Sequence, residues 1–426
     1  MPPNTHQSYY QATAGAARSF PPLNDDLDAD VCVIGGGFTG LSTALHAAQA
    51  GFKTCLLEGQ SIGHGASGRN GGQVLSGQSI KQNVLERRLG RDTALQLWRL
   101  AEEAKALVKA LVRDHAIACD LRQGHLLAAV KPGHARDLEL YARLLRSSYG
   151  YDKAHFVPRE DLPGYICSQR YAGGLYDSDA AHLHPLRFAY GLASAAQAAG
   201  AAIFENARVL KIVPGPGLSV ETDRARIRAR FAVLACDSYL GGLFPPIAAH
   251  TIAIHALVAA TAPLGEMGKA LIPGACAVAD TANMLDYFRL SADGRLIFGG
   301  GESASPPDEG RIAAIVRARI RRVFPELRDS AIDFAWSGRI AFTASRLPHV
   351  GRIAGSLYFA QGYSGQGVAI STHMGRLIAE AIAGASPGFD MYASLSTPRF
   401  FMHRFAEPFL VRAALSCGHI QDRLLP

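Results

Sequence analysis

The chain of 426 residues is short of charge: Asp, Glu, Lys and Arg make up 19%, against 48% hydrophobic residues. That balance supports a sizeable core and excludes a disordered chain. Net charge is small as well. Forty-three basic residues against 36 acidic ones leave +7, too thin an excess for a nucleic-acid binder but enough to suit an anionic cofactor or substrate. Clustered cysteine is missing. Cys32, Cys55, Cys119, Cys167, Cys236, Cys276 and Cys417 are scattered, odd in number and never spaced as C-x-x-C. A disulfide framework and a zinc site are disfavoured, and a reducing compartment is expected. No uninterrupted run of about 18 apolar residues occurs; Ala189–Phe204 and Ile252–Leu264 are broken by Gln197 and His255. No integral membrane segment is therefore expected. The start, MPPNTHQSYYQATAG, lacks a basic stretch followed by an apolar one, so no secretory leader is read and a cytoplasmic location is expected. No Ser/His/Asp or Cys/His set stands on a strand-turn-helix elbow, which leaves a hydrolase unsupported.

Length allows two or three domains at roughly 150 residues each. Residues 1–27 are polar and read as an N-terminal arm, with regular structure starting at Asp30. Val31–Ile34 reads as a buried strand, Gly35–Gly40 as a glycine turn, and Leu41, Ala44, Leu45 and Ala48 as a helix that Gly51 ends. Lys53–Glu58 completes a βαβ unit, followed by a glycine-rich loop over 63–77. Helices are predicted over 92–114, 134–149, 185–199, 310–323 and 367–384. Strands are predicted over 203–213, 218–223, 225–235, 251–261, 285–290, 295–301, 331–335 and 357–361. Arg224, Arg226, Arg228 and Arg230 alternate with Ala225, Ile227 and Ala229 and read as the wet face of a strand. Arg317, Arg319, Arg321 and Arg322 share a helix whose buried stripe is Ile312, Ile315, Val316, Ile320 and Val323, so they also read as solvated. His182 and His184 lack a carboxylate or cysteine to complete a metal site and read as loop residues before a helix starting at Pro185. No metal is predicted.

Gly35-Gly36-Gly37-Phe38-Thr39-Gly40 is G-x-G-x-x-G between an apolar strand and a helix, and Glu58 ends the next strand. Gly35 permits the tight turn, Gly37 lets the backbone approach a pyrophosphate, and Gly40 lets helix and strand pack closely. The helix N-terminus offers free N–H groups to the pyrophosphate. Glu58 suits ribose hydroxyls and would repel a 2′-phosphate, so NADP is disfavoured while FAD and NAD both fit. Two further loops favour FAD. Gly65-Ala66-Ser67-Gly68-Arg69-Asn70-Gly71-Gly72-Gln73 follows the second strand, and Gly362-Tyr363-Ser364-Gly365-Gln366-Gly367 joins a strand to a late helix. NAD needs only the first loop, whereas a flavin threaded past three loops accounts for all of them. The third loop makes another helix N-terminus, able to face the partial negative charge of a reduced flavin.

With these stretches, and with AAHLHPLRFAYG, MLDYFRLSADGRLIFGGG, FAWSG, SRLPHVGR and YFAQGYSGQGV in order, the chain resembles the D-amino-acid, glycine and sarcosine oxidase group of FAD proteins. Within it the chain is most similar to the γ-glutamylputrescine oxidase branch. The resemblance implies an α/β fold combined with α+β: a Rossmann-type FAD-binding domain interwoven with a substrate domain built on a large antiparallel sheet. Residues 28–115, 170–240 and 336–388 would form the first domain and 116–169 and 241–335 the second, with 389–426 as a C-terminal tail. It implies FAD held by Gly35, Gly37, Phe38, Thr39, Gly40 and Glu58, by Gly65, Ala66, Ser67, Arg69, Asn70, Gly71, Gly72 and Gln73, by Val209, Ala235 and Cys236, and by Gly362, Tyr363, Ser364, Gly365, Gln366 and Gly367. No Cys or His lies within the second loop, so noncovalent FAD is expected. Relatives acting on simple amino acids use an arginine after Trp-x-Gly for the substrate carboxylate, and Arg339 stands close to that place. Leu257 stands where the family often has glutamine.

The catalytic candidates are Tyr287, Arg289, His255 and Arg339. Tyr287 and Arg289 share one side of a strand expected to cross the flavin. His255 fits equally a general base or a core histidine. At least one of Arg289 and Arg339 is expected to bind a substrate carboxylate, because neither Asp286 nor Asp333 is well placed to pair with it. The expected reaction is hydride transfer from the carbon next to an amine nitrogen to flavin N5, giving an imine that water hydrolyses. A γ-glutamylputrescine-like amine is the first substrate class and a secondary or cyclic amino acid the alternative; a non-catalytic flavin-binding protein is the reading of another class. Oxygen or a quinone would take the electrons, and a homodimer is compatible with the sequence. The Phe- and Arg-rich segment 397–412 is expected to pack on the protein or a partner subunit.

Overall fold

The computed structural model describes residues 7–15, 19–213 and 217–400. Among them, eight strands make a first sheet and nine a second. The first sheet runs His349–Ile353, Leu357–Gln361, Arg226–Leu234, Leu27–Ile34, Thr54–Leu57, Ala202–Phe204. Every pairing from Leu357–Gln361 to Ala202–Phe204 is parallel. Parallel neighbours need crossovers that cover the sheet's faces, which is why Val31–Ile34 and Thr54–Leu57 are buried throughout. The helix Phe38–Gln49 is the first crossover, and the helix Gly367–Ala383 packs along it. The strand Leu218–Thr222 pairs antiparallel with Arg226–Leu234 as the predicted hairpin. Arg224, Arg226, Arg228 and Arg230 are exposed as alternation predicted, and Arg228 and Arg230 meet Asp28 and Asp30 at 2.7 and 3.1 Å.

The second sheet runs Ile332–Phe342, Ile252–Pro263, Arg295–Ser303, Asp286–Leu290, Ala277–Asp280, Arg122–Ala128, Gly173–His182, Gln73–Val74. All its pairings are antiparallel except Ala277–Asp280 beside Arg122–Ala128. Its two sides have different neighbours. Leu257, Ala259 and Ala335 join the cluster of Ile312, Val316 and Ile320 from the helix Glu309–Val323. Val258, Ala260, Ile297 and Trp336 point the other way, toward Tyr10 and Leu186. These are called the helix side and the loop side, because the loop side carries the Arg69 segment: the Trp336 indole Nε1–H donates to the Arg69 carbonyl at 3.0 Å.

Four expectations need correction. The N-terminal arm is docked: Tyr9–Thr13 is a helix with a Ser8 cap, Tyr10 is fully buried, and the first strand begins at Leu27. The segment 203–213 is two strands, Ala202–Phe204 and Val209–Val213, interrupted at Asn206, whose φ is 51°. The strand expected over 331–335 runs on to Phe342, so the Trp-Ser-Gly-Arg stretch lies within the sheet. His182 is the end of the strand Gly173–His182 and not a loop residue; His184 stands before the helix Pro185–Ala198 as expected, and caps it by accepting the Arg187 amide at 3.2 Å.

Arg319 also departs from expectation. Arg321 and Arg322 are exposed, but Arg319 is 8% exposed and bonds to the Asp286 carboxylate and the Met284 carbonyl. Its position explains this: 312, 316, 319 and 323 follow helical spacing, so Arg319 sits on the buried stripe itself. Removing one member of a buried pair leaves the other charge uncompensated, at a cost of about 3–5 kcal/mol. Arg319→Ala is therefore expected to lower the urea midpoint clearly while Arg321→Ala shifts it little; equal midpoints would contradict the pairing.

Candidate active site

The first glycine turn is built by crowding. Gly35 has φ +114°, and a Cβ there would lie 2.6 Å from the Ala235 carbonyl oxygen. A Cβ on Gly40 would collide with the Gly35 carbonyl. Gly37 caps the helix Phe38–Gln49 without a side chain, leaving its first amides to outside partners. One is already taken: the Phe38 amide donates to Ser67 Oγ at 3.0 Å, which ties the first loop to the second. Glu58 accepts from the Gly36 and Gln60 amides, both at 2.7 Å. Burial pushes its carboxyl up, and the Gly36 amide pulls it back. Each Glu58 oxygen keeps a further lone pair for a hydroxyl.

The second loop closes on itself. The Asn70 side-chain amide donates to the Ala66 and Ser67 carbonyls at 2.9 and 3.0 Å, and its oxygen accepts the Gly72 amide at 2.7 Å. Gln73 donates to the Val278 carbonyl at 3.1 Å. Arg69 is 3% exposed and donates to the His64 carbonyl at 3.1 Å. The third loop is tied to the others twice. The Tyr363 hydroxyl meets Thr39 Oγ1 at 2.6 Å, and the Gly362 amide donates to Asp237 Oδ1 at 2.8 Å. Gln366 and Gln73 line one small cavity, and the buried Gln366 Oε1 has no partner among the described residues. Ala235 abuts Gly35, and the neighbouring Cys236 thiol donates to the Ile34 carbonyl at 3.3 Å; burial pushes that thiol up to about 12. Val209 starts its strand next to Arg208, which lies against Gly59. Fingerprint, second loop, Ala235–Asp237 and third loop thus meet around one place. Crowded glycines, free helix amides and the unpaired Gln366 oxygen fit a bound dinucleotide.

The four catalytic candidates separate. Tyr287 and Arg289 both lie on the loop side, against Gly71. A Cβ on Gly71 would come within 2.8 Å of the Tyr287 ring, which is also wedged over Gly299. Arg289, however, is 4% exposed and its donors are engaged by the Gly71 and Leu183 carbonyls, both at 2.8 Å, and the Tyr10 hydroxyl at 3.3 Å. The expectation that Arg289 binds a substrate carboxylate is corrected: backbone carbonyls hold it. Arg339 and His255 stand opposite each other in register. Gly338 faces Arg69, so alternation turns Arg339, and His255 with it, to the other side. The Arg339 guanidinium lies 5.6 Å from the centre of the Tyr239 ring and beside Asp237. Burial, with Arg339 nearby, pushes His255 down to about 4, so it is neutral at pH 7. Ile340 takes the loop-side place next to Gly338. Residue order alone did not expose Ile340 or Glu302, the last residue but one of the glycine-rich strand Arg295–Ser303. The needed signal is strand register.

A parallel glycine-turn domain joined to a large antiparallel sheet, with three loops converging, defines a flavoprotein-type oxidoreductase fold. The family profile described as FAD dependent oxidoreductase (DAO) matches residues 30–381, and the chain belongs to that family. Its cofactor is FAD. The chain is 36% identical to gamma-glutamylputrescine oxidoreductase of Escherichia coli K12, over 91% of each chain. It is also 36% identical to the probable oxidoreductase OrdL of Haemophilus influenzae, over 98% of this chain and 97% of the relative. Among solved structures, glycine oxidase from Geobacillus kaustophilus has a TM-score of 0.74 at 20% identity, covering 88% of this chain and all of that one. L-proline dehydrogenase from P. horikoshii has a TM-score of 0.71 at 18% identity, covering 86% and 96%. These likenesses show the fold. Among the described residues, no helix is long and apolar enough to cross a membrane.

Gly40→Ala is expected to yield protein without the visible flavin band, because its Cβ meets backbone that cannot yield. Gly59→Ala, whose Cβ would find only ordinary contact at 3.7 Å, is expected to keep it. The ratio of visible to ultraviolet absorbance after purification decides; full flavin in Gly40→Ala would contradict the crowding.

Proposed function

We propose that this enzyme oxidises the C–N bond of an amine that carries no carboxylate on its reacting carbon, of the γ-glutamylputrescine type. One observation carries the reading: on the loop side Ile340 follows Gly338, while Arg339 is turned away and engaged with Tyr239. A substrate carboxylate at the reacting carbon therefore has no cation from the loop side of this strand. The name of the Escherichia coli relative supports the same substrate class.

The residues divide the work. Gly35, Gly37, Gly40 and the helix amides would cradle the pyrophosphate, and Glu58 would accept from the ribose. Asn70, Gly71, Gly72, Gln73 and Gln366 would surround the ring. When bound, FAD supplies the two-electron acceptor for the C–H bond beside the nitrogen. Tyr287, held between Gly71 and Gly299, would fix one face of the substrate pocket and limit water. Water then hydrolyses the product imine to an aldehyde and ammonia. Described cysteines that are all free support a cytoplasmic setting.

Anaerobic mixing tests this. γ-Glutamylputrescine is expected to bleach the visible flavin band, and glycine, sarcosine, proline and pipecolate at equal concentration to leave it. Fastest bleaching by an amino acid, abolished in Arg339→Ala, would overturn the reading. Air or a soluble quinone, whichever restores the band, identifies the electron acceptor. Acid precipitation is expected to release the flavin, since its attachment is read as noncovalent.

A further inference from the structure

On the reading that the substrate is an alkylamine, the charge of its ammonium needs a partner. Of the carboxylates on the four strands nearest the Arg69 segment, Asp286 falls on the helix side and Asp333 lies exposed near the start of its strand. Asp286 is committed to Arg319 and Asp333 to Arg295. Glu302 falls on the loop side. It pairs in register with Ala256, one residue from the helix-side Leu257, while Gly299 pairs with Val258 and with Tyr287. The bulge between Ala256 and Val258 takes up Gly300 and Gly301, both turned toward the helix Glu309–Val323, and so returns Glu302 to the side of Tyr287.

We propose that Glu302 binds the substrate ammonium and takes its proton, making this carboxylate the determinant of specificity for cationic amines. Among the described residues, none hydrogen-bonds or ion-pairs with the Glu302 carboxylate, which is half-buried. Facing groups are few. The Tyr287 phenol lies within electrostatic reach, and Arg346 and Arg319 act only through space. Arg319 belongs to Asp286 on the other side, and Arg346 stands exposed beyond Phe342, its guanidinium 5.1 Å from that ring's centre. Burial raises the Glu302 carboxyl above the usual carboxylate range, and the two arginines oppose the rise. Among the described residues a group so placed is unpaired, and it is more basic than a surface glutamate.

The chemistry requires both properties. An alkylammonium has no nitrogen lone pair to assist loss of hydride from its neighbouring carbon. One N–H bond must first break, its electron pair staying on nitrogen, while the proton forms an O–H bond on Glu302: R–CH2–NH3+ and carboxylate become R–CH2–NH2 and carboxylic acid. Atoms and charge balance without a further reactant. The half-buried setting of Glu302 lowers the local dielectric, which strengthens the ammonium–carboxylate attraction before transfer.

The test uses holoenzyme and two probes that cannot be oxidised, both γ-glutamylputrescine analogues with two methyl groups on the terminal carbon. One ends in an amine and the other in the matching alcohol; binding is read from the shift of the visible flavin band. In the native protein the amine is expected to bind at least about 30-fold more tightly than the alcohol, as for a desolvated charge pair. In Glu302→Gln, with flavin content unchanged, the two should agree within about threefold, and Glu302→Asp should keep the preference. A native protein that binds the alcohol as well as the amine overturns the proposal without any variant, as does Glu302→Gln retaining the native ratio. Bleaching by γ-glutamylputrescine together with either result would leave the substrate reading standing and remove Glu302 alone. Absence of bleaching by that amine, with tight binding of the amine probe, would instead remove the substrate reading.

Discussion

Thr39, in the first turn of the fingerprint helix, and Tyr363, 324 residues further along, share a hydrogen bond of 2.6 Å. The two helices behind them touch as closely as backbone allows, since a Cβ on Gly375 would strike the Thr39 carbonyl and Ser42. The start and the late part of the chain are thereby fixed against each other at the point where three loops meet. Ser67 joins this contact through the Phe38 amide, and Asp237 joins it through the Gly362 amide. Remove that closure and each loop remains an ordinary turn at a strand–helix junction. With it, they form one cradle whose helix amides, Glu58 carboxylate and side-chain amides serve successive parts of a long cofactor.

Over this cradle lies a sheet whose two sides have separate tasks. The helix side is a packed core carrying the buried Asp286–Arg319 pair. The loop side is thin in side chains near the second loop, with Gly299 and Gly338 admitting Tyr287 and Arg69. Arg289 stitches the sides of this arrangement together by bonding carbonyls of Gly71 and Leu183. The buried Arg289 guanidinium is satisfied by these carbonyls beside the second loop. It contributes there as a fixed field and a brace, while the substrate's polar contacts fall to other residues.

Local chemistry was legible in the sequence where a motif carried its own geometry. The fingerprint, Glu58, the Asn70 loop and the Pro185 helix start each depend on neighbours a few residues away, and all lie where expected. The arginine alternation at 224–230 was legible for the same reason. What escaped depended on distant partners. Arg319 has the spacing of a core position and the chemistry of a surface one, and only Asp286, 33 residues earlier, decides between them. Tyr10 looks like part of a polar arm until Arg289, 279 residues away, supplies its hydrogen bond. Arg339 and Ile340 differ by one place, and on a strand one place is a change of side; only the register against His255 and Ile254 tells which side each takes. Glu302 was hidden by a bulge, which adds one residue and inverts the alternation after it. Of the C-terminal tail, Phe400 is seen against Ile252, Ile254 and Phe342, with its amide 2.9 Å from the Ala249 carbonyl. The rest of the segment 401–426 lies outside the described residues.

That one bound cofactor is held by all three loops at once is the central claim, and amide hydrogen exchange measures it directly. Protein stripped of FAD and protein reloaded with it should be compared peptide by peptide. The account predicts that FAD slows exchange together in the peptides containing Gly36–Phe38, Arg69–Gln73 and Gly362–Gln366, while the helix Glu309–Val323 is unchanged. Protection confined to the first of these, with the other two exchanging as in the stripped protein, would contradict it.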